Sequence, residues 1–396
     1  MAIQKINIDQ FLSLAKEYPI LDVRSPGEYF HAHIPAAISF PLFSDEERKM
    51  VGTSFKQESR AQAIKIGLDF FGPKMRKMVE EAEKIISNRQ LAISNEQQTI
   101  NNGQSATYNN ENPLPIANCL LIHCWRGGMR SAAIAWLLDL YGFKVYTLIG
   151  GYKKYRNYVL DTFKIPIDLK IVGGYTGSGK TSILKSLKEK GESVVDLEGL
   201  ASHKGSAFGN IGLPKQPGQE MFENLLATEF RKVANSAKTA SSEAPFRAGP
   251  DFSGGFGGIW LEDESQRIGL INIPKDLWDQ MRQSPVYFLD IPFEERLKQI
   301  VLEYGDLDQE MMTDAIGRIS QKLGNLNAKT AILLLNEGKK AESFDILLKY
   351  YDKQYFKSLH NRKEINSLLH TIQCKSVTPE NANQLVRLSQ LQQQSP

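Results

Sequence analysis

Eight residues constrain this chain more than any others: Gly174-Tyr175-Thr176-Gly177-Ser178-Gly179-Lys180-Thr181. They fill every fixed position of the loop G-x-x-x-x-G-K-[ST], and their flanks suit it. Asp168-Leu-Lys-Ile-Val-Gly173 predicts a strand running into the loop, and Ser182-Ile-Leu-Lys-Ser-Leu-Lys188 a helix leaving it, stopped near Gly191. Strand, glycine turn and helix in that order commit this part of the chain to a P-loop NTPase-like α/β domain. The glycines let backbone amides wrap a phosphate. Lys180 would reach across it, and the Thr181 hydroxyl would face Mg²⁺.

The partners of that loop are less determined. Ser193-Val-Val-Asp196-Leu-Glu198 predicts a strand ending in acids, and Ile259-Trp-Leu-Glu262-Asp-Glu264-Ser265 is another candidate. Asp196, Glu198 or Glu262 would help hold Mg²⁺ through water, or would act as helix caps and surface charge; one such acid is enough. In Leu200-Ala-Ser-His203-Lys204-Gly-Ser206, His203 and Lys204 suit a loop closing over a substrate phosphate, and equally an ordinary loop. Arg267 is either a further anion contact or solvated charge.

The second chemistry-bearing segment is Ile122-His-Cys124-Trp125-Arg126-Gly127-Gly128-Met129-Arg130-Ser131. Cys119-Leu-Leu-Ile122 predicts a buried strand. Ser131 to Tyr141 predicts a helix with Ile134, Leu137, Leu138 and Tyr141 on one stripe and Gly142 as its stop. A cysteine between strand and helix, in a turn of two glycines and two arginines, is placed to be a thiolate. Turned amides, the arginines and the helix N-terminus all favour negative charge there. Cys124 is therefore the candidate nucleophile, and Trp125, Arg126, Gly127, Gly128, Met129 and Arg130 form its anion loop.

Pro19-Ile-Leu-Asp22-Val-Arg24 and Lys144-Val-Tyr-Thr-Leu-Ile149 predict two more strands. With the helix after Cys124 they form a parallel crossover unit, so an α/β domain is expected over about residues 1–160, joined near Phe163–Pro166 to a second over 165–388. An Asn-, Gln- and Ser-rich segment at about 87–117 lacks periodicity and reads as a low-complexity insertion. Residues at about 235–258 read as a flexible loop, and 389–396 as a frayed tail.

With 396 residues, 41% hydrophobic and 23% charged, the chain has the composition of a soluble globular protein. No run reaches membrane-spanning length, and the N-terminal residues lack the apolar core of a secretory signal. Three cysteines are too few for a disulfide framework, which fits a cytoplasmic setting and a free thiol. A net charge of +3 permits a nucleic-acid partner without arguing for one.

His123-Cys124, five residues, then Arg130 is also the spacing of a cysteine phosphatase loop. That chemistry needs a general acid, for which Asp22, Glu28 and Glu46 are candidates, and it leaves the P-loop domain without a purpose. A sulfurtransferase, whose thiolate takes up a second chalcogen atom, uses the same cradle. Two further readings remain open: a phosphatase or arsenate-reductase-like protein fused to a kinase-like domain, and a nucleotide-regulated sulfur-carrier module.

Asp22-Val-Arg24, Glu28, His33-Ile-Pro-Ala-Ala37 and the Cys124 loop resemble a rhodanese domain. Pro41-Leu-Phe-Ser-Asp-Glu-Glu-Arg48, Val51-Gly-Thr53, Lys56-Gln57 and Cys124 to Ser131, joined to a P-loop domain with Glu262-Asp-Glu-Ser265 and Arg267-Ile-Gly269, narrow the likeness. The combination, over about residues 18–375, resembles the tRNA 2-selenouridine synthase family. The resemblance implies a rhodanese-like parallel-sheet domain followed by the P-loop domain. It implies exchange of sulfur for selenium in wobble 2-thiouridine of tRNA, with selenophosphate as donor and a geranylated intermediate formed from geranyl diphosphate. It also implies that Cys124 carries selenium as a perselenide or otherwise mediates its arrival, that Arg126 and Arg130 neutralise selenophosphate, and that the P-loop holds a diphosphate leaving group. A selenophosphate-producing enzyme would be a partner, and no tightly bound cofactor is expected. Gly67 falls in a segment resembling the family, where a helix glycine suggests close approach.

Lys74, Arg76 and Lys77 form one basic cluster, and Lys153, Lys154 and Arg156 another. Each is an RNA-contact candidate or a solvated face.

Overall fold

The computed structural model describes residues 3–101, 118–240 and 258–393, with side chains for 3–89, 118–233 and 258–392. The chain divides into two compact units, Met1–Leu160 and Asp161–Pro396.

In the first unit β1 (Gln4–Ile6), β2 (Ile20–Asp22), β3 (Ala37–Ser39), β4 (Cys119–His123) and β5 (Lys144–Leu148) form a parallel sheet in the order β1-β5-β4-β2-β3. All five residues of β4 are buried, as an apolar run covered on both faces should be. The register sets Asp22 beside His123 and Ile122 beside Thr147, so the ends of β2, β4 and β5 meet at one edge. Loops leaving that carboxyl edge are where α/β sheets carry their sites. Leu120, Ile122, Ile134 and Leu138 share a core with Met78, Ala82 and Ile86 of the helix Met75–Asn101.

The second unit holds β6 (Leu169–Gly174), β7 (Ile259–Glu262), a two-strand ribbon of β8 (Arg267–Ile268) and β9 (Ile271–Asn272), β10 (Val286–Asp290) and β11 (Leu369–Gln373). Its parallel sheet runs β11-β10-β6-β7, and β6 delivers the phosphate loop to the helix Lys180–Glu189. The helices Phe293–Tyr304, Gln309–Arg318, Asn325–Asn336 and Lys340–His360 pack a separate core around Met312, Ile316, Leu335 and Phe344. Among the described residues no helix is long and apolar enough to cross a membrane.

Several local expectations change. Residues 87–101 continue the helix begun at Met75, because a nucleated helix propagates through Gln, Glu, Ala and Leu without needing an apolar stripe; residues 102–117 lie outside the described residues. Likewise the helix Gln219–Ala240 takes up 235–240, and 241–257 lie outside. The expected strand at Ser193 is reduced to a single bridge from Val194 to Trp260, since Asp196 instead caps the short helix Leu197–Ala201 by accepting from Gly199 N–H. The tail from Ser389 to Gln393 is helical, with Ser389 buried. Tyr141 leaves the buried stripe: it is exposed at the last turn of the helix Met129–Tyr141, and its hydroxyl donates to Glu83 at 2.6 Å.

Candidate functional site

In the first unit Cys124 lies just past β4, 3% exposed, at the floor of the loop that opens the helix Met129–Tyr141. Its Sγ is 3.3 Å from Ser131 Oγ and accepts from Gly128 N–H at 3.3 Å. Burial pushes the thiol pKa up, but the Ser131 hydroxyl and the amides of Ser131, Gly128 and Arg126 outweigh it, leaving the value below that of an ordinary cysteine. Cys119 and Cys374, also buried, shift the other way. The loop keeps its shape through two interlocked glycines. A Cβ on Gly151 (φ +57°) would stand 2.3 Å from Cys124 O and 2.5 Å from Gly127 N, and one on Gly127 (φ +66°) 2.6 Å from Leu148 O. Tyr152 and Lys153 amides donate to Cys124 O and Trp125 O at 2.8 and 2.9 Å.

Beneath the loop Asp22 and Arg24 form a buried pair at 2.6 Å, and the Arg24 guanidinium also donates to Ala32 O and stacks 3.8 Å from the Tyr152 ring centroid. His123 is fully buried with neither ring nitrogen hydrogen-bonded, and burial drives its pKa down to about 4, so it is neutral. Arg130 does not stand free for an anion: its guanidinium contacts Glu28 at 2.6 and 3.4 Å, while Arg126, Trp125 and Met129 are exposed. Each acid weighed as a phosphatase's proton donor already has a partner. Asp22 is paired with Arg24, Glu46 accepts from Ser44, and Glu28 is held at a pKa of about 2. Burial opposes that last shift, but Arg130, the Ser25 amide and Arg48 overcome it. Gly67 belongs to this unit too; in the helix Arg60–Phe71 its Cβ position is 3.4 Å from Phe43 Cζ, a packing contact.

In the second unit the loop from Gly174 to Thr181 has positive φ at Gly174, Gly177 and Gly179. Lys180 Nζ donates to Gly174 O at 3.2 Å, and Thr181 Oγ1 to Glu198 Oε2 at 3.2 Å. Glu198 N–H donates to Glu262 Oε1 at 2.6 Å, while Glu262 Oε2 is buried without a partner. Burial raises the pKa values of Glu198, Glu262 and Glu264, Glu264 to about 8, and the mutual repulsion of the cluster adds to the shift. An orphaned carboxylate oxygen among crowded acids beside Thr181 suits a hard cation. Among the described residues no three such side chains converge as a ready-made metal shell. Asp196 is occupied as the helix cap, and Arg267 donates to Gly269 O in its own turn. His203 packs between Gly209 and Gly269 and accepts from Gly205 N–H, and Lys204 pairs with Glu303.

Sequence reading missed two features here. One is an apolar recess lined by Phe208, Ile300, Tyr304, Phe344, Leu348 and Tyr351, which opens beside Thr176 of the phosphate loop and Ser206. Its enclosed space is about 20 Å³, that of a water. The other is a buried brace. Tyr355 OH accepts from Gly174 N–H at 3.1 Å and donates to Asp263 at 2.7 Å, and Arg362 binds Asp263 through both terminal nitrogens at 3.0 and 2.7 Å. The signal for both is the stripe Phe344, Leu348, Tyr351, Tyr355 at helical spacing.

A family model described as the tRNA 2-selenouridine synthase AAA domain matches residues 167–244 and 253–378. A relative named tRNA 2-selenouridine synthase from Bdellovibrio bacteriovorus is 30% identical over 405 residues, covering 91% of this chain and 94% of its own. Relatives of the same name from Hydrogenovibrio crunogenus (30% identical; 86% and 89% covered) and Pseudomonas aeruginosa strain LESB58 (32%; 73% and 66%) are similar. A crystal structure of an N-terminal domain from Clostridium difficile 630 is 34% identical over 40% of this chain and 99% of its own, with a TM-score of 0.31, too low for a fold comparison.

Proposed function

The chain belongs to the tRNA 2-selenouridine synthase family, and from that membership we propose that it converts wobble 2-thiouridine in tRNA to 2-selenouridine, with selenophosphate as donor and a geranylated intermediate. The rhodanese-like first unit handles selenium, and the P-loop unit handles geranyl diphosphate.

The observation that carries the two-step reading is that the chain holds two built anion loops, the amide-lined turn around Cys124 and the phosphate loop with Lys180 and Thr181. The phosphate loop suits the diphosphate of a prenyl donor as leaving group. In the first step the nucleobase sulfur attacks C1 of the geranyl group, the C–O bond breaks, and the electron pair leaves with diphosphate. Loop amides and Lys180 would stabilise that developing charge. Thr181, with Glu198 and Glu262 through water, would hold Mg²⁺, which would supply further neutralisation of the phosphates. In the second step selenium adds to C2 of the base, geranylthiolate departs, and water takes the phosphoryl group. The amides around Cys124 and exposed Arg126 would hold the selenophosphate anion, and Cys124 would mediate the arrival of selenium.

Mass spectrometry of nucleosides from 2-thiouridine tRNA, incubated with each substrate omitted in turn, tests this. Lys180→Ala is expected to abolish geranylation, and Cys124→Ser to accumulate geranylated thiouridine. Wild-type yields of 2-selenouridine without geranyl diphosphate would overturn it.

A further inference from the structure

Trp125 stands apart in a loop otherwise suited to an anion. An indole could give an anion only its single N–H, and the faces of its ring carry negative charge. Yet the ring is 37% exposed, directly after the nucleophile, and it is held rather than loose. Its centroid lies 5.7 Å from that of Tyr152, which is fully buried and has the Arg24 guanidinium 3.8 Å from its own centroid. His123 stacks on the same tyrosine at 6.1 Å, and Tyr155 packs against it at 5.9 Å. The backbone beneath the indole is fixed as well. The Trp125 carbonyl accepts from Lys153 N–H, and the Cys124 carbonyl before it accepts from Tyr152 N–H. The loop thus presents a wide apolar plane, backed by a buried aromatic cluster, on the residue next to the thiol.

Such a plane suits a nucleobase drawn out of its own strand, because it replaces the stacking that the base gives up. The surroundings suit the rest of a nucleotide. Arg126 is exposed next in sequence, and Lys153, whose amide binds the Trp125 carbonyl, is exposed together with Lys154. An aromatic face flanked by cations is the pattern with which proteins hold single-stranded nucleic acid, the ring taking the base and the cations the backbone.

We infer that the Trp125 indole is the stacking platform for the target pyrimidine, holding the wobble base beside Cys124 while Arg126 and the lysines at the rim hold its backbone. The identity of the base rests on the tRNA-modifying reading of the chain, to which the platform adds the residue that grips it. Stacking acts on the face of a base and not on its edge. Trp125 therefore supplies affinity for an unpaired pyrimidine without telling 2-thiouridine from uridine.

The test is binding of the full-length protein to an anticodon stem-loop RNA carrying 2-thiouridine at the wobble position, against the same RNA made abasic there. The wild-type protein is expected to bind the intact RNA at least five-fold more tightly. Trp125→Ala is expected to bind both RNAs alike, near the wild-type affinity for the abasic one. Trp125→Phe, which keeps a π face, should restore most of the preference, whereas Trp125→Leu, which keeps only apolar bulk, should not. The slope of log affinity against log salt should stay the same in all three variants, because no phosphate contact is lost. Equal wild-type affinity for the two RNAs, or a preference kept by Trp125→Ala or Trp125→Leu, would overturn the platform alone. Failure of the wild-type protein to bind either RNA would overturn it together with the tRNA reading. Comparison of Trp125→Phe with Trp125→Leu decides the matter even where Trp125→Ala folds poorly.

Discussion

Arg130 ends the Cys124 loop with a charge that an incoming anion would be expected to use, yet its guanidinium is engaged by Glu28 at 2.6 Å. The carboxylate is the more informative partner. Burial alone would raise the Glu28 pKa; Arg130, the Ser25 amide and Arg48 instead hold it at about 2, against 4.5 when free. The unfolded chain therefore binds this proton more readily than the folded one. The pair stabilises the first unit above about pH 4.5, and its contribution fades as pH falls toward about 2. Since the pair is partly open to solvent, about 1–2 kcal/mol is a reasonable size for it. Glu28→Gln should lower the urea unfolding free energy by that amount at pH 7, and the gap from the wild-type protein should narrow as pH drops below 4.5. A gap independent of pH would show that the loss is one of shape rather than charge.

At the scale of elements, the Cys124 loop depends on backbone closeness as much as on its own sequence. Gly151 sits where a Cβ would overlap Cys124 O, Gly127 N and Arg126 N, in a left-handed conformation. Gly151→Ala should destabilise the first unit by about 2–4 kcal/mol and slow alkylation of Cys124. Gly52 has open space at its Cβ position and lies in the helix Asp45–Gln57, so Gly52→Ala should stabilise by up to about 1 kcal/mol. Equal effects at the two sites would refute this account of the loop. The strands and helices flanking both loops were legible in the sequence because apolar runs, 3.6-residue spacing and glycine stops are local signals. The second half of Met75–Asn101 was not, since a polar helix continued from an apolar one carries no stripe of its own. The bracing of Gly174 by Tyr355, and of Thr176 O by Arg296, are contacts between distant parts of the chain. No spacing rule reaches them.

For the molecule as a whole, a net charge of +3 means that any RNA contact relies on where cations stand rather than on how many there are. The first basic cluster is largely neutralised within the fold, because Lys74 pairs with Glu47 and Arg76 with Glu80. Lys153 and Lys154 are exposed at the start of the helix Gly151–Thr162, whose first amides brace Cys124 O and Trp125 O. Those two lysines therefore stand at the rim of the thiol loop. Cys124 itself is 3% exposed, so on the proposed function a uridine would have to be unstacked from its neighbours to approach it, and backbone contacts at the rim would hold the strand. Reversing both lysines to glutamate should weaken binding of 2-thiouridine tRNA and reduce the slope of log affinity against log salt by about two, close to one unit for each phosphate that is no longer neutralised. The weakening should be similar for tRNAs of different sequence, because phosphate contacts carry no base identity. Unchanged affinity and slope would move the RNA path away from this rim.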